Sequence, residues 1–152
     1  MSNKIVCVGA NKTDAEAVIK LSFLLNEDDN TKTHKGIKEV VSEALKNNLV
    51  WVAKNGDEVV GYVLCELFGG KQSNFPNSIF ISELYVADPF RKQGVGRQLV
   101  KLVLSNKFSK KYTYFSITHD PEARFLTGFY KSLGFEEAGV TDAGNIKLIR
   151  KI

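Results

Sequence analysis

The sequence predicts a mixed α/β sheet with helices on both faces. Three observations carry that expectation. Short runs rich in β-branched and aromatic residues alternate with longer stretches whose apolar residues recur at helical spacing. Asn55-Gly56 lies between two strand-like runs and supplies the positive φ of a tight hairpin. A Gly-x-Gly, Gly94 and Gly96, joins a strand to an amphipathic helix. The order that results is β-α-α-β-β-β-α-β-α-β-β.

Each element has its own signal. Ile5-Val6-Cys7-Val8 is a first strand, and Thr13 or Asp14 is the expected cap of a helix that carries Ala17, Val18, Leu21, Leu24 and Leu25. Residues 26–35 are polar, with consecutive acids Glu27, Asp28 and Asp29, and are expected to form a mobile loop. A second helix presents Ile37, Val40, Val41, Ala44 and Leu45 and ends near Asn47-Asn48. Strands follow over 49–54 and 58–67. Residues 69–77 form a loop in which Pro76 bars a paired strand. The next strand, 78–87, is stopped by Asp88-Pro89. A helix over 95–108, a strand over 112–118 and a helix over 121–133 come next, and strands over 135–140 and 146–152 close the chain.

At 152 residues, with no repeat or low-complexity linker, the chain is expected to be one domain over residues 1–152. Its 43% hydrophobic and 25% charged residues exclude a disordered composition. No apolar run approaches the roughly 20 residues that span a bilayer, and Met1-Ser2-Asn3-Lys4 opens on no signal-peptide core. Cys7 and Cys65 each sit in an apolar stretch, which fits buried thiols in a reducing cytoplasm. The net charge of +4 suits a polyanionic cofactor as well as nucleic acid, so charge alone decides nothing. Lys107, Lys110 and Lys111 read as a solvated helix end.

The segment Arg91-Lys92-Gln93-Gly94-Val95-Gly96 carries the chemistry. Glycine lets the backbone approach a ligand closely. The first turn of a helix leaves amides unpaired, and its dipole favours anions. Together these make a diphosphate cradle, with Arg91, Lys92 and Arg97 as cations at its rim. The plain alternative is a tight turn with solvated basic residues. A P-loop pattern is absent, and Leu99 stands where a dinucleotide fingerprint needs a third small residue.

Tyr85-Val86-Ala87-Asp88-Pro89-Phe90-Arg91-Lys92-Gln93-Gly94-Val95-Gly96 resembles motif A of the GNAT superfamily of N-acetyltransferases, and Phe129-Tyr130-Lys131-Ser132-Leu133-Gly134-Phe135 is similar to the end of its motif B. The two motifs lie in the family's order, and the resemblance covers nearly the whole chain. It implies a mostly antiparallel sheet of six to seven strands with helices on both faces, and acetyl-CoA as cosubstrate with no metal. By match, the amides of Gln93, Gly94, Val95, Gly96 and Arg97 hold the CoA pyrophosphate, with Arg91 and Lys92 flanking. In the family the preceding strand splays from its parallel neighbour at a bulge, which places Leu84, Tyr85 and Val86 at the pantetheine and acetyl group. A fixed N–H donor there stabilises the oxyanion of thioester aminolysis.

Tyr130 matches the position proposed as general acid to the departing thiolate; an aromatic packed on the sheet is the plain alternative, and Phe129 is expected in the core. Glu83 is the candidate base that deprotonates the amine, set against a solvated sheet-face glutamate. Strand alternation sends Glu83 and Tyr85 to one face and Leu84 and Val86 to the other. His34 and His119 lack metal-ligand spacing. Many members carry an Asn seven residues before this tyrosine, where Ala123 stands here, so a cofactor contact from this helix falls to His119 or Asp120 or is lost.

The expected activity is N-acetyl transfer from acetyl-CoA to an amine, small molecule or peptide, by direct transfer in a ternary complex. A non-catalytic acyl-CoA-binding or regulatory module on the same fold is the alternative. A nucleic-acid-binding domain has no motif behind it. The Glu27-Asp28-Asp29 triplet suggests a cationic acceptor. Dimers are frequent in the family, often through the late strands, and no residue here specifies or forbids a homodimer.

Overall fold

The computed structural model describes residues 4–69 and 76–152. The described residues form seven strands: β1 (Ile5–Gly9), β2 (Val50–Asn55), β3 (Glu58–Phe68), β4 (Ser78–Val86), β5 (Tyr114–His119), β6 (Glu136–Val140) and β7 (Ile146–Lys151). Four helices join them: α1 (Ala15–Leu25), α2 (His34–Lys46), α3 (Val95–Ser105) and α4 (Arg124–Lys131). The strands form one sheet in the order β1-β2-β3-β4-β5-β7-β6. β1–β2, β2–β3, β5–β7 and β6–β7 are antiparallel, whereas β4–β5 is parallel. This is the mixed, mostly antiparallel sheet that the sequence predicts. By contacts the chain packs as two compact units, Met1–Cys65 with Ser82–Ser105, and Glu66–Ile81 with Asn106–Ile152.

In the first unit, α1 is entered differently from the expectation. Neither Thr13 nor Asp14 caps it through a side chain. A short 3₁₀ turn, Lys12–Asp14, precedes the helix, and Asn11 caps that turn by accepting the Thr13 amide at 3.0 Å. Asp14 returns the bond to the Asn11 amide at 3.0 Å and also pairs with Lys54 at 3.0 Å. Its carboxylate is thus buried with partners for its charge, which a bare cap would not provide. Val18, Leu21, Ile37, Val41 and Ala44 are buried on α1 and α2, as their spacing predicts.

The polar loop is shorter than expected, because α2 begins at His34, where Thr33 Oγ1 accepts the Gly36 amide at 2.9 Å. α2 ends where Asn48 adopts φ 58°. Leu49 and Asn48 donate amides to Ala44 and Leu45 at 2.8 and 3.1 Å, the paired bonds of a Schellman stop. In the hairpin Asn55 pairs with Glu58, so the two-residue connection is Gly56-Asp57 rather than Asn55-Gly56.

In the second unit, β5 takes Ser78–Phe80 of β4 in parallel and the whole of β7 antiparallel. Ile79, Phe115, Ile117, Phe135 and Leu148 form its core. Ser78 and Ser116 hydroxyls meet at 3.0 Å inside it, so these two buried polar groups satisfy each other at the start of the parallel register. α4 is shorter than the predicted 121–133. Asp120 accepts the Glu122 amide at 2.8 Å and the Ala123 amide at 2.9 Å, and this turn takes up residues 121–123 before the helix can start. The loop expected over 69–77 lies mostly outside the described residues. Among the described residues, no helix is long and apolar enough to cross a membrane.

Candidate active site

The glycine segment stands where β4 gives way to α3. Asp88–Phe90 forms a 3₁₀ turn with Pro89 inside it, and residues 91–94 then turn into the helix. Val95, Leu99, Val100 and Val103 are buried, so the apolar stripe of α3 anchors the helix while the segment before it stays exposed. Two residues there are left-handed, Lys92 at φ 62° and Gly94 at φ 79°. Such a conformation is costly for a residue bearing Cβ, and left-handed residues in a turn are the kind that build an anion-binding concavity of backbone amides. A Cβ built on Gly94 would meet no atom within 4 Å, so the space over the backbone is open. The first helical acceptor is the Gly94 carbonyl, used by the Gln98 amide at 3.0 Å, and the residues before Gln98 supply the amides of the first turn.

Arg91 is exposed and also ties the turn together. Its Nε donates to the Val86 carbonyl at 2.6 Å, its guanidinium pairs with Asp88 at 2.5 Å, and it lies 5.2 Å from the Tyr85 ring centre. These three contacts hold the end of β4 against the turn. Gln93 Nε2 likewise donates to the Pro89 carbonyl at 3.2 Å. Lys92 and Gln93 are exposed, while Gly96 and Arg97 are half-buried.

Leu84, Tyr85 and Val86 are half-buried in β4. β3 lies close beside them. The Ala87 amide donates to the Val60 carbonyl at 2.8 Å, and a Cβ on Gly61 would come within 3.0 Å of the Tyr85 carbonyl. Backbone yields less readily than a flexible side chain, so that approach favours glycine.

Glu83 is half-buried on β4. Its Oε1 accepts from Ser22 Oγ of α1 at 2.7 Å and from Tyr62 OH of β3 at 2.5 Å. Asn26 Nδ2 in turn donates to the Ser22 carbonyl at 2.9 Å and lies 3.3 Å from Ser22 Oγ. Ser22 and Tyr62 are fully buried. Burial first, then the Glu83 charge and the hydrogen bond to it, push the Tyr62 phenol far above its ordinary value, and Tyr85 acts on it in the same sense. Glu83 and Tyr85 thus share the face that Tyr62 senses, as strand alternation predicts. The sequence reading missed Tyr62 and Ser22 because both are embedded in apolar runs. The available signal was a lone hydroxyl inside each run, Ser22 between Leu21 and Phe23 and Tyr62 before Val63.

This phenol predicts an alkaline limit to stability. The unfolded chain's tyrosine ionises near pH ~10, whereas folded Tyr62 keeps its proton well beyond that. The contribution is therefore whole below the unfolded value and is lost as pH rises above it, by about 1.4 kcal/mol per pH unit. Tyr114, raised by burial, adds to the same slope. Urea unfolding followed across alkaline pH should show the decline, and Tyr62→Phe should make it shallower.

In the second unit, Tyr130 lies buried on α4, edge-on to Phe129 at 5.0 Å and to Phe135 at 5.4 Å. Phe129, expected in the core, is only half-buried; the register of the short helix turns Tyr130 inward instead. His119 is buried, and both ring nitrogens are engaged, Nδ1 with the Asp120 carbonyl and Nε2 with Thr127 Oγ1, each at 2.8 Å. A carbonyl only accepts, so Nδ1 carries a proton and donates to it. His34 stacks on Phe23 with ring centres 4.5 Å apart. Among the described residues, no group of three or more His, Cys, Asp or Glu is placed to hold a metal ion. Cys7 is half-buried, with its thiol pushed up by burial, and Cys65 is fully buried. One cavity among the described residues, about 530 Å³, is lined by Ala10, Asn11, Lys12, Ser42 and Lys46 among others.

The fold has close structural relatives. Ribosomal-protein-alanine N-acetyltransferase from Brucella melitensis superposes with a TM-score of 0.79 at 18% identity, over 97% of this chain and 99% of that one. The PaiA N-acetyltransferase from Thermoplasma acidophilum, solved in complex with coenzyme A, gives 0.69 at 14% identity, over 98% and 99%. A GNAT family acetyltransferase from Staphylococcus aureus gives 0.74 at 15% identity, over 97% and 99%. At such identities the likeness is one of fold. No curated protein matches the sequence. The family model described as acetyltransferase (GNAT) domain matches residues 46–137, more than half of the chain and the span holding both the glycine turn and Tyr130. With that match, the chain belongs to the GNAT acetyltransferase family.

Proposed function

We propose that residues 1–152 form one acetyl-CoA-dependent N-acetyltransferase domain that transfers the acetyl group to a primary amine directly, in a ternary complex. The single observation that carries the chemistry is Glu83. A carboxylate stands on β4, three residues ahead of the strand's end at Val86, held by two buried hydroxyls. The glycine turn follows on the same chain segment, and its geometry fits a diphosphate. Gly94 is left-handed with open space above it, α3 contributes its N-terminal amides, and Lys92 and Arg97 contribute charge. The full-length likeness to N-acetyltransferases, one of them a coenzyme A complex, supports the same reading.

Acetyl-CoA supplies the activated acyl group. Gln93, Gly94, Val95, Gly96 and Arg97 would bind its pyrophosphate, and the backbone of Leu84, Tyr85 and Val86 would orient its arm. Glu83 removes the proton from the acceptor ammonium and frees the nitrogen lone pair for attack on the thioester carbonyl. Tyr130, by its match to the family motif, returns a proton to the sulfur that leaves. Two unjoined cysteines fit a reducing, cytoplasmic setting.

The acceptor we propose is cationic. Glu27, Asp28 and Asp29 are exposed on the loop that follows α1, and hydrogen bonds from Thr31 hold the Asp29 carboxyl below the usual carboxylate range. The test is release of CoA from acetyl-CoA with a panel of polyamine, aminoglycoside, peptide and neutral or acidic amines. Turnover with cationic amines is expected, and Tyr130→Phe should slow it at least about tenfold with CoA binding kept. Turnover confined to neutral or acidic amines would sink the acceptor class. Binding of CoA without turnover on any amine would make the chain a binding module instead.

A further inference from the structure

We propose that Tyr62 and Ser22 are positioning residues for Glu83: by occupying Oε1 they leave Oε2 as the oxygen that takes the proton of the acceptor amine. The inference rests on the reading of Glu83 as the base and assigns the atom through which it works. An ionised carboxylate only accepts, so both hydroxyls must donate to it, Ser22 at 2.7 Å and Tyr62 at 2.5 Å. With its hydroxyl hydrogen spent on Glu83, Ser22 Oγ faces the Asn26 amide as an acceptor, at 3.3 Å. The hydroxyl hydrogens of Ser22 and Tyr62 are then both directed toward Oε1, and Asn26 holds Ser22 from behind through its carbonyl and its Oγ.

The two donors come from different elements, α1 and β3, and both are fully buried. They fix the carboxylate's position and its plane, which a single donor would leave free to rotate. Among the described residues, both hydrogen bonds to Glu83 fall on Oε1 and leave Oε2 open. In the reaction the ammonium N–H bond breaks, its proton passes to Oε2, and its electron pair stays on nitrogen as the attacking pair. Glu83 becomes a neutral acid whose Oε1 keeps both of its donors. Tyr62 itself transfers no proton, since its phenol is held protonated by burial and by Glu83.

Steady-state acetyl transfer by Tyr62→Phe and Ser22→Ala, beside wild type and Glu83→Gln, tests this. Each hydroxyl deletion is expected to lower kcat about tenfold, the worth of one hydrogen bond to a charged group, with the KM for acetyl-CoA unchanged. The double variant should be slower than either single one. A merely structural role would lower the melting temperature and leave kcat of the folded enzyme alone. Wild-type kcat in both single variants, with Glu83→Gln slow, overturns the positioning role and leaves the base reading standing. Wild-type speed in Glu83→Gln, or a wild-type protein inactive on every amine, overturns the base reading and this inference with it. If Tyr62→Phe does not fold, Ser22→Ala decides alone.

Discussion

Glu83→Gln is expected to lower the turnover of acetyl transfer by about 10²–10⁴-fold while acetyl-CoA still binds. Glutamine preserves the shape, and its carbonyl oxygen can keep both hydrogen bonds, from Ser22 and from Tyr62, that the structure shows at Oε1. What it lacks is the capacity to take a proton. The variant therefore separates chemistry from architecture: thermal unfolding should stay near wild type, and calorimetric titration with CoA should give an unchanged Kd. Glu83→Ala would be a poorer probe, because it also leaves two buried hydroxyls facing an emptied position. An unaltered kcat in Glu83→Gln would remove Glu83 from the mechanism.

Substitution at Gly94 should strike binding instead. At φ 79° any side chain carries a conformational cost of about 1–2 kcal/mol, greater still for a β-branched one. The Cβ itself meets no neighbour within 4 Å, so the fold can accept it. The side chain would project into the open space where the proposed diphosphate lies, and the turn that aims the amides would relax. Losing one amide bond to a charged phosphate oxygen corresponds to about a 10–100-fold weaker Kd. Gly94→Val is expected to show that loss for CoA, with only a modest fall in melting temperature. CoA affinity equal to wild type would move the pyrophosphate away from this turn.

Most of the secondary structure was legible from periodicity, because an apolar face repeats with the geometry of the element that buries it. The elements that deviated did so at their ends, where a few side-chain hydrogen bonds outweigh propensity. Asn11 rather than Thr13 or Asp14 caps the turn into α1, since Asp14 is drawn to Lys54 of β2. α4 starts late because Asp120 ties up the amides of residues 122 and 123. Phe129, expected in the core, is half-buried beside a buried Tyr130, because adjacent helical positions differ by about 100° and a short helix sets its register by packing.

The glycine turn and the two family motifs are local features, carried by neighbouring residues, and the sequence by itself was enough to identify the family and to name Glu83, Tyr130 and residues 91–97 as candidates. What surrounds Glu83 is not local. Ser22 stands 61 residues away along the chain and Tyr62 stands 21 away, and only their meeting at one carboxylate oxygen gives either hydroxyl a role. Arg91 shows the same division. Its charge beside the glycines was readable at once, whereas its use as a tie between Val86, Asp88 and Tyr85 follows from how the turn folds back on β4. Spacing determines which chemistry a segment can offer, because it is set by bonds along the chain. Hydrogen-bond partners and burial depend on which segments are brought together, and that was decided by the tertiary structure alone.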